Sequence, residues 1–186
     1  MNKLIFISFL FCFSLITLCQ KSNLKAYIDV KEFYDLKSGN YAEVELQFAI
    51  QSATLKSIGD TSLQASIAIF MDILSEGKVV TTDAYRLNSP SYQIKDSLIE
   101  DFYEIKRYAL NPGSYQLKIR ITDLNAADST NQVSGIENFE ITTMKDKISI
   151  SDILTAEYAI KSETRNIFQR SGLLLVPLFS NFYAPQ

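Results

Sequence analysis

The sequence predicts an all-β protein, an antiparallel sandwich with a C-terminal extension. Three observations predict it. Apolar side chains recur at every second position in stretch after stretch. Turn residues punctuate those stretches at short intervals. No long segment keeps an unambiguous helical period. Alternate side chains of a strand point to opposite faces, so a two-residue period marks one buried and one wet face.

In "NYAEVELQFAIQS", Ala42, Val44, Leu46, Phe48 and Ile50 share one parity, and Glu43, Glu45, Gln47 and Gln51 the other. Glu43 and Glu45 therefore read as a solvated face. "SLQASIAIFMDIL" repeats the pattern with Leu63, Ala65, Ile67, Ile69, Met71 and Ile73. Ser75-Glu76-Gly77-Lys78 then turns the chain, Gly77 tolerating a positive φ. "VVTTDAYRL" returns as the second arm of a hairpin, and Asn88-Ser89-Pro90 breaks it.

"DSLIEDFYEIKRYAL" is ambiguous, because Leu98, Phe102 and Ile105 fit a helical period while its aromatics suit a strand. A strand near residues 102–109 is the favoured reading. After Asn111-Pro112-Gly113, Tyr115, Leu117, Ile119 and Ile121 alternate with Gln116, Lys118, Arg120 and Thr122. "IENFEIT" supplies a last strand. Six to eight strands between Leu24 and Thr143 make a sandwich. Tyr115 follows Pro-Gly at a strand start, as the corner tyrosine of Ig-like sandwiches does, where its hydroxyl bonds backbone. The fold class is thus an Ig-like antiparallel β-sandwich over residues 24–143.

Residues 144–186 differ. "MKDKISISDILTAEYAIKS" reads as a connector with a short strand, and "SGLLLVPLFSNFY" is apolar on both parities. Pro177 argues against a central strand there. Leu173, Leu174, Leu175, Val176, Leu178, Phe179, Phe182 and Tyr183 crowd together, so both sides of the run need cover. The sandwich can cover one side. Residues 171–186 are expected to meet a protein partner or a second domain on the other, unless the segment folds back as an inner strand. The segment itself either packs on the sandwich or begins that second domain.

The first residues predict export. Lys3 precedes the apolar run Leu4 to Leu18, which is broken only by Ser8, Ser14 and Thr17. Fifteen residues fall short of the about 20 needed to span a bilayer core. Polar residues follow Cys19, so residues 1–19 read as a signal peptide. Cleavage after Cys19 leaves Thr17 and Cys19 at the small-residue positions. Cleavage before Cys19, with lipidation, is the weaker reading because Leu18 is bulky. The only cysteines are Cys12 and Cys19, so a cut after Cys19 leaves no thiol in the mature chain. The expected location is the periplasm, the outer-membrane surface or the exterior, with membrane attachment only through a lipidated Cys19.

Without residues 1–19 the chain has 17 basic and 21 acidic side chains, a net charge of −4. Nucleic-acid affinity rests on phosphate neutralisation, so a nucleic-acid partner is not expected. The sequence has no histidine, which excludes Ser-His-Asp and Cys-His catalysis and most zinc sites. No Gly-rich loop precedes a helix, so no phosphate cradle is expected. No metal and no cofactor are expected. Asp123, Asn125 and Asp128 have calcium-like spacing, but no central glycine or closing glutamate accompanies them, and a strand-ending turn is the favoured reading. The carboxylate pairs Glu100-Asp101 and Glu43/Glu45 are the only ones suggesting hydrolysis, and adjacent strand residues point apart.

The phrases "LKAYIDVKEFYDLKSGNYAEVELQF", "GKVVTTDAYRLNSP", "IEDFYEIKRYALNPGSYQLKIRITDLN" and "KISISDILTAEY" resemble secreted Gram-negative proteins of the GWxTD-domain family. The resemblance runs over residues 24–183. The motif itself is absent, since the chain has no tryptophan. The resemblance implies export and an Ig-like N-terminal part, and it implies no activity and no site residue. The functional expectation is an exported cell-envelope binding or scaffolding module rather than an enzyme. The alternative is a hydrolase working with carboxylates alone.

Overall fold

The computed structural model describes residues 23–95, 99–127, 131–142, 150–164, 166–170 and 172–178. Signal, lipidation and cleavage expectations at residues 1–19 lie outside the described residues, as do Asp128, Phe179, Phe182 and Tyr183.

Two antiparallel sheets build the sandwich. The first pairs β1 (Ala26–Asp35), β2 (Gly39–Phe48) and β8 (Phe102–Ala109) in the order 1-2-8. The second pairs β10 (Gln132–Ile141), β9 (Gly113–Asp123), β5 (Ser66–Ser75) and β6 (Lys78–Asn88) in the order 10-9-5-6. Three hairpins, β1–β2, β5–β6 and β9–β10, are joined by crossings between the sheets. That is the connectivity of an Ig-like sandwich. Three short strands, β3 (Lys56–Ile58), β4 (Ser62–Gln64) and β7 (Tyr92–Gln93), form a small sheet in the crossings. The described strands of this region thus number ten, above the six to eight expected, because two- and three-residue strands leave no periodic trace.

The alternation read from the sequence is the core. Val44, Leu46 and Phe48 of β2 face Ile67, Ile69, Met71 and Ile73 of β5 and Leu117, Ile119 and Ile121 of β9. Phe48 and Phe102 stack with ring centroids 4.9 Å apart. Burying one such side chain contributes about 1.5–3 kcal/mol. The β5–β6 hairpin turns on Glu76 (φ 51) and Gly77 (φ 76). Both central residues have positive φ, as a type I′ turn requires, so Glu76 shares the conformational burden assigned to Gly77.

Tyr115 is a corner tyrosine. Its hydroxyl donates to the Asn111 carbonyl (2.8 Å) and its ring stacks on Phe139.

One long side of the sandwich lies between the edge strands β6 and β8. There Tyr108 donates to Asp83 (3.1 Å), Lys106 pairs with Asp83 (3.5 Å), and the Lys106 ammonium sits 4.0 Å from the centre of the Tyr85 ring. Glu104 sits in this same row of β8, half-buried, and burial pushes its carboxyl up.

Beyond the sandwich, β11 (Ala156–Lys161), β13 (Leu173–Pro177) and β12 (Gln169–Arg170) form a third sheet in the order 11-13-12. β13 is its central strand, contrary to the expectation from Pro177. Proline is tolerated because it ends the strand, opposite Ala156. Among the described residues no helix is long and apolar enough to cross a membrane.

Candidate functional site

Glu43 and Glu45 lie on the side of the first sheet that the third sheet covers, and Glu100 and Asp101, just before β8, line a cleft against the third sheet. The solvated face assigned to Glu43 and Glu45 is corrected here: both are buried, at 0 % and 1 % exposure. The reason is the cover supplied by residues 150–178. Arg170 of β12 reaches the Glu43 carboxylate. Arg107 of β8 donates to the same carboxylate (2.6 Å) and to the Ile167 carbonyl (3.3 Å). Phe168 meets Tyr103 edge-on at 6.2 Å. At the β1 edge, Asp152 and Glu32 exchange bonds: the Glu32 amide donates to the Asp152 carboxylate, and the Asp152 amide to the Glu32 carbonyl.

The strand register explains the cations. Lys31 on β1 and Arg107 on β8 both stand opposite Glu43 on β2. Arg107 takes Glu43, while Lys31 reaches diagonally to Glu45 (2.5 Å) and along its own strand to Asp29 (2.5 Å). Burial pushes the Glu45 carboxyl up more strongly than Lys31 pulls it down. One Glu45 oxygen, Oε1, has no hydrogen-bond partner. Lys31, Arg107 and Arg170 were not singled out from the sequence. The readable signal was the two cations' register opposite Glu43, visible only once β1 and β8 are aligned on β2.

Beside this ion cluster lies a cleft of about 450 Å³, lined by Glu100, Asp101, Tyr103, Glu157, Tyr158 and Val176. Asp101 is held: its carboxylate accepts from the Gln47 amide (2.9 Å) and the Ile50 backbone N–H (3.0 Å). Burial raises the Tyr103 hydroxyl, and Asp101, Glu157 and Glu100 raise it further. Glu100 and Asp101 are brought to one cleft, yet Glu43 and Glu45 are bound elsewhere in ion pairs. The structure joins no two of these groups as a free carboxylate pair of the kind a retaining or inverting glycosidase uses.

Asp123 ends β9 as a buried turn residue. Its carboxylate accepts from the Thr54 N–H (2.7 Å), the Asn125 N–H (2.9 Å) and the Asn131 side chain (2.9 Å). The Asn125 amide donates to the carbonyls of Thr54 and Gln64. N–H donors aimed at the Asp123 oxygens occupy the lone pairs a cation would need. Among the described residues no three His, Cys, Asp or Glu side chains are grouped to hold a metal ion.

No protein-family model matches this chain, and no curated protein matches it.

Proposed function

We propose that the chain is an exported binding or scaffolding module of the cell envelope. One observation carries this reading. The buried carboxylates Glu43, Glu45 and Asp123 and the half-buried Asp101 each accept from N–H donors of the fold, while the third sheet leaves Tyr158, Ile160 and Leu173 exposed. Glu43, Asp101 and Asp123, engaged in this way, are poor bases and nucleophiles, and Glu45 is closed off from substrate by its burial and its pair with Lys31. Tyr158 and Ile160 share one exposed face of β11, and a contiguous apolar face is where a partner packs; Leu173 lies on the opposite face. The resemblance to exported GWxTD-domain proteins supports the same location. Residues 171–186 supply part of that meeting surface, toward a partner protein or a further domain.

Expression of the full chain in a Gram-negative host tests the reading. Fractionation should place it in the envelope or medium, with a mature N-terminus at Gln20 or a diacylated Cys19. A photo-crosslinker at Leu173 should give a discrete adduct. Retention of Met1 in a cytoplasmic product would refute export. Turnover of glycoside or ester substrates, abolished by Glu100→Gln, would instead favour the carboxylate hydrolase.

A further inference from the structure

We infer that β11 is a self-pairing edge, through which two copies of this chain join into one continuous six-stranded sheet. Among the described residues β11 pairs on one side only, with β13. All six of its residues, Ala156 to Lys161, are exposed. Edge strands in monomers are usually blunted by proline or by inward-pointing charge. β11 has no proline; it carries Glu157 and Lys161 at its ends and a bulge, and between them it shows Tyr158 and Ile160 to solvent at 48 % and 52 % exposure. Its one irregularity is a bulge at Glu157, which has no register partner on β13 between Ala156 and Tyr158.

The occupant follows from the strand's own sequence. A two-fold axis through Ala159 sets Glu157 opposite Lys161 of the second copy, and Lys161 opposite its Glu157. The same register sets Tyr158 opposite Ile160, and Ile160 opposite Tyr158. Tyr158 and Ile160 share one face, so the apolar pairs share it too, while Glu157, in the bulge, meets Lys161 by its position in the register. A shift of the axis to Tyr158 or Ile160 loses both charge pairs.

The backbone agrees. The Ser162 N–H donates to the Gly172 carbonyl (3.0 Å), so Ser162 is a hydrogen-bonded partner of the central strand. Antiparallel pairs alternate in this respect, so Ile160 and Tyr158 also turn their backbone groups to β13. Ala159 and Lys161 turn theirs outward. Ala159 is thus placed to exchange both bonds with its own copy, at the centre of an isologous interface.

This pairing goes beyond the proposed module role and does not depend on it. Sedimentation of the full mature chain from 1 to 200 µM tests it. The wild type should move from monomer to dimer over that range. Glu157→Lys and Lys161→Glu should each weaken the dimer at least tenfold, and the double exchange should restore it. Ala159→Pro should give monomer with an unchanged thermal midpoint, since its lost N–H faces outward. A wild type monomeric at 200 µM would overturn the inference. So would a dimer indifferent to all four variants. Either result leaves a Leu173 adduct to a different protein untouched.

Discussion

Arg170 meets the fully buried carboxylate of Glu43 across 127 positions of chain. This contact ties the third sheet to the first. Removing one partner of a buried ion pair costs about 3–5 kcal/mol, because the other charge is left without compensation. Arg107 remains on Glu43, so Arg170→Ala should cost about 3 kcal/mol, toward the low end of that range. The loss should fall on residues 150–178. Hydrogen exchange should speed up in β11 to β13 while the β5 and β9 amides keep their protection. Uniform acceleration would show that the third sheet and the sandwich unfold as one unit.

Glu45 gives the stability a pH dependence of definite sign. Its carboxyl titrates above the ordinary 4.5, mainly through burial. A raised carboxyl binds its proton more tightly when folded, so its contribution is present at low pH and lost as pH rises through the folded value. Glu45→Gln removes that loss. Urea unfolding at pH 4 and pH 7 should show the variant gaining on the wild type as pH rises. A gain confined to pH 4 would contradict the assignment.

Asp123 should prove to be a hub of hydrogen bonds rather than a cation ligand. Asp123→Ala strands the Thr54 and Asn125 amides and the Asn131 side chain. Unsatisfied buried groups cost about 1–3 kcal/mol each, partly relieved by water, so a total near 3 kcal/mol is expected. The thermal midpoint should fall by about 6–12 °C. Wild-type melts in chelator and in millimolar calcium should coincide. A rise with calcium would restore the cation reading.

Tyr115→Phe isolates the corner bond, since the ring and its Phe139 stack remain. The loss of one hydrogen bond should cost about 1 kcal/mol in urea titration, with the slope unchanged. A neutral result would mean that water replaces the Asn111 contact fully.

The core was legible because its signal is local. Val44, Leu46 and Phe48, or Ile67 to Ile73, announce their buried face by parity alone. The strand at residues 102–109 emerged from aromatics despite a competing helical period. The burial of Glu43 and Glu45 was not legible, because parity says which side chains share a face and not what covers it. Their cover comes from Arg170 and its neighbours, more than a hundred residues later. Two-residue strands such as Tyr92–Gln93 exist only through their partners and carry no period. Glu100 and Asp101 read as neighbours pointing apart, and only the third sheet's Glu157 and Tyr158 turn that stretch into a cleft wall.

The charged row between β6 and β8 sets how this molecule can grow. A strand laid along β8 would have to dry out Lys106, Glu104 and Asp83, and a like strand beside β6 would do the same. Addition along that flank therefore carries a penalty that addition at β11 does not. An antiparallel pair centred on Ala159 also consumes, in both copies, the edge that β11 leaves unpaired among the described residues. The valence at that edge is one, and assembly there stops at two rather than running on as a fibre.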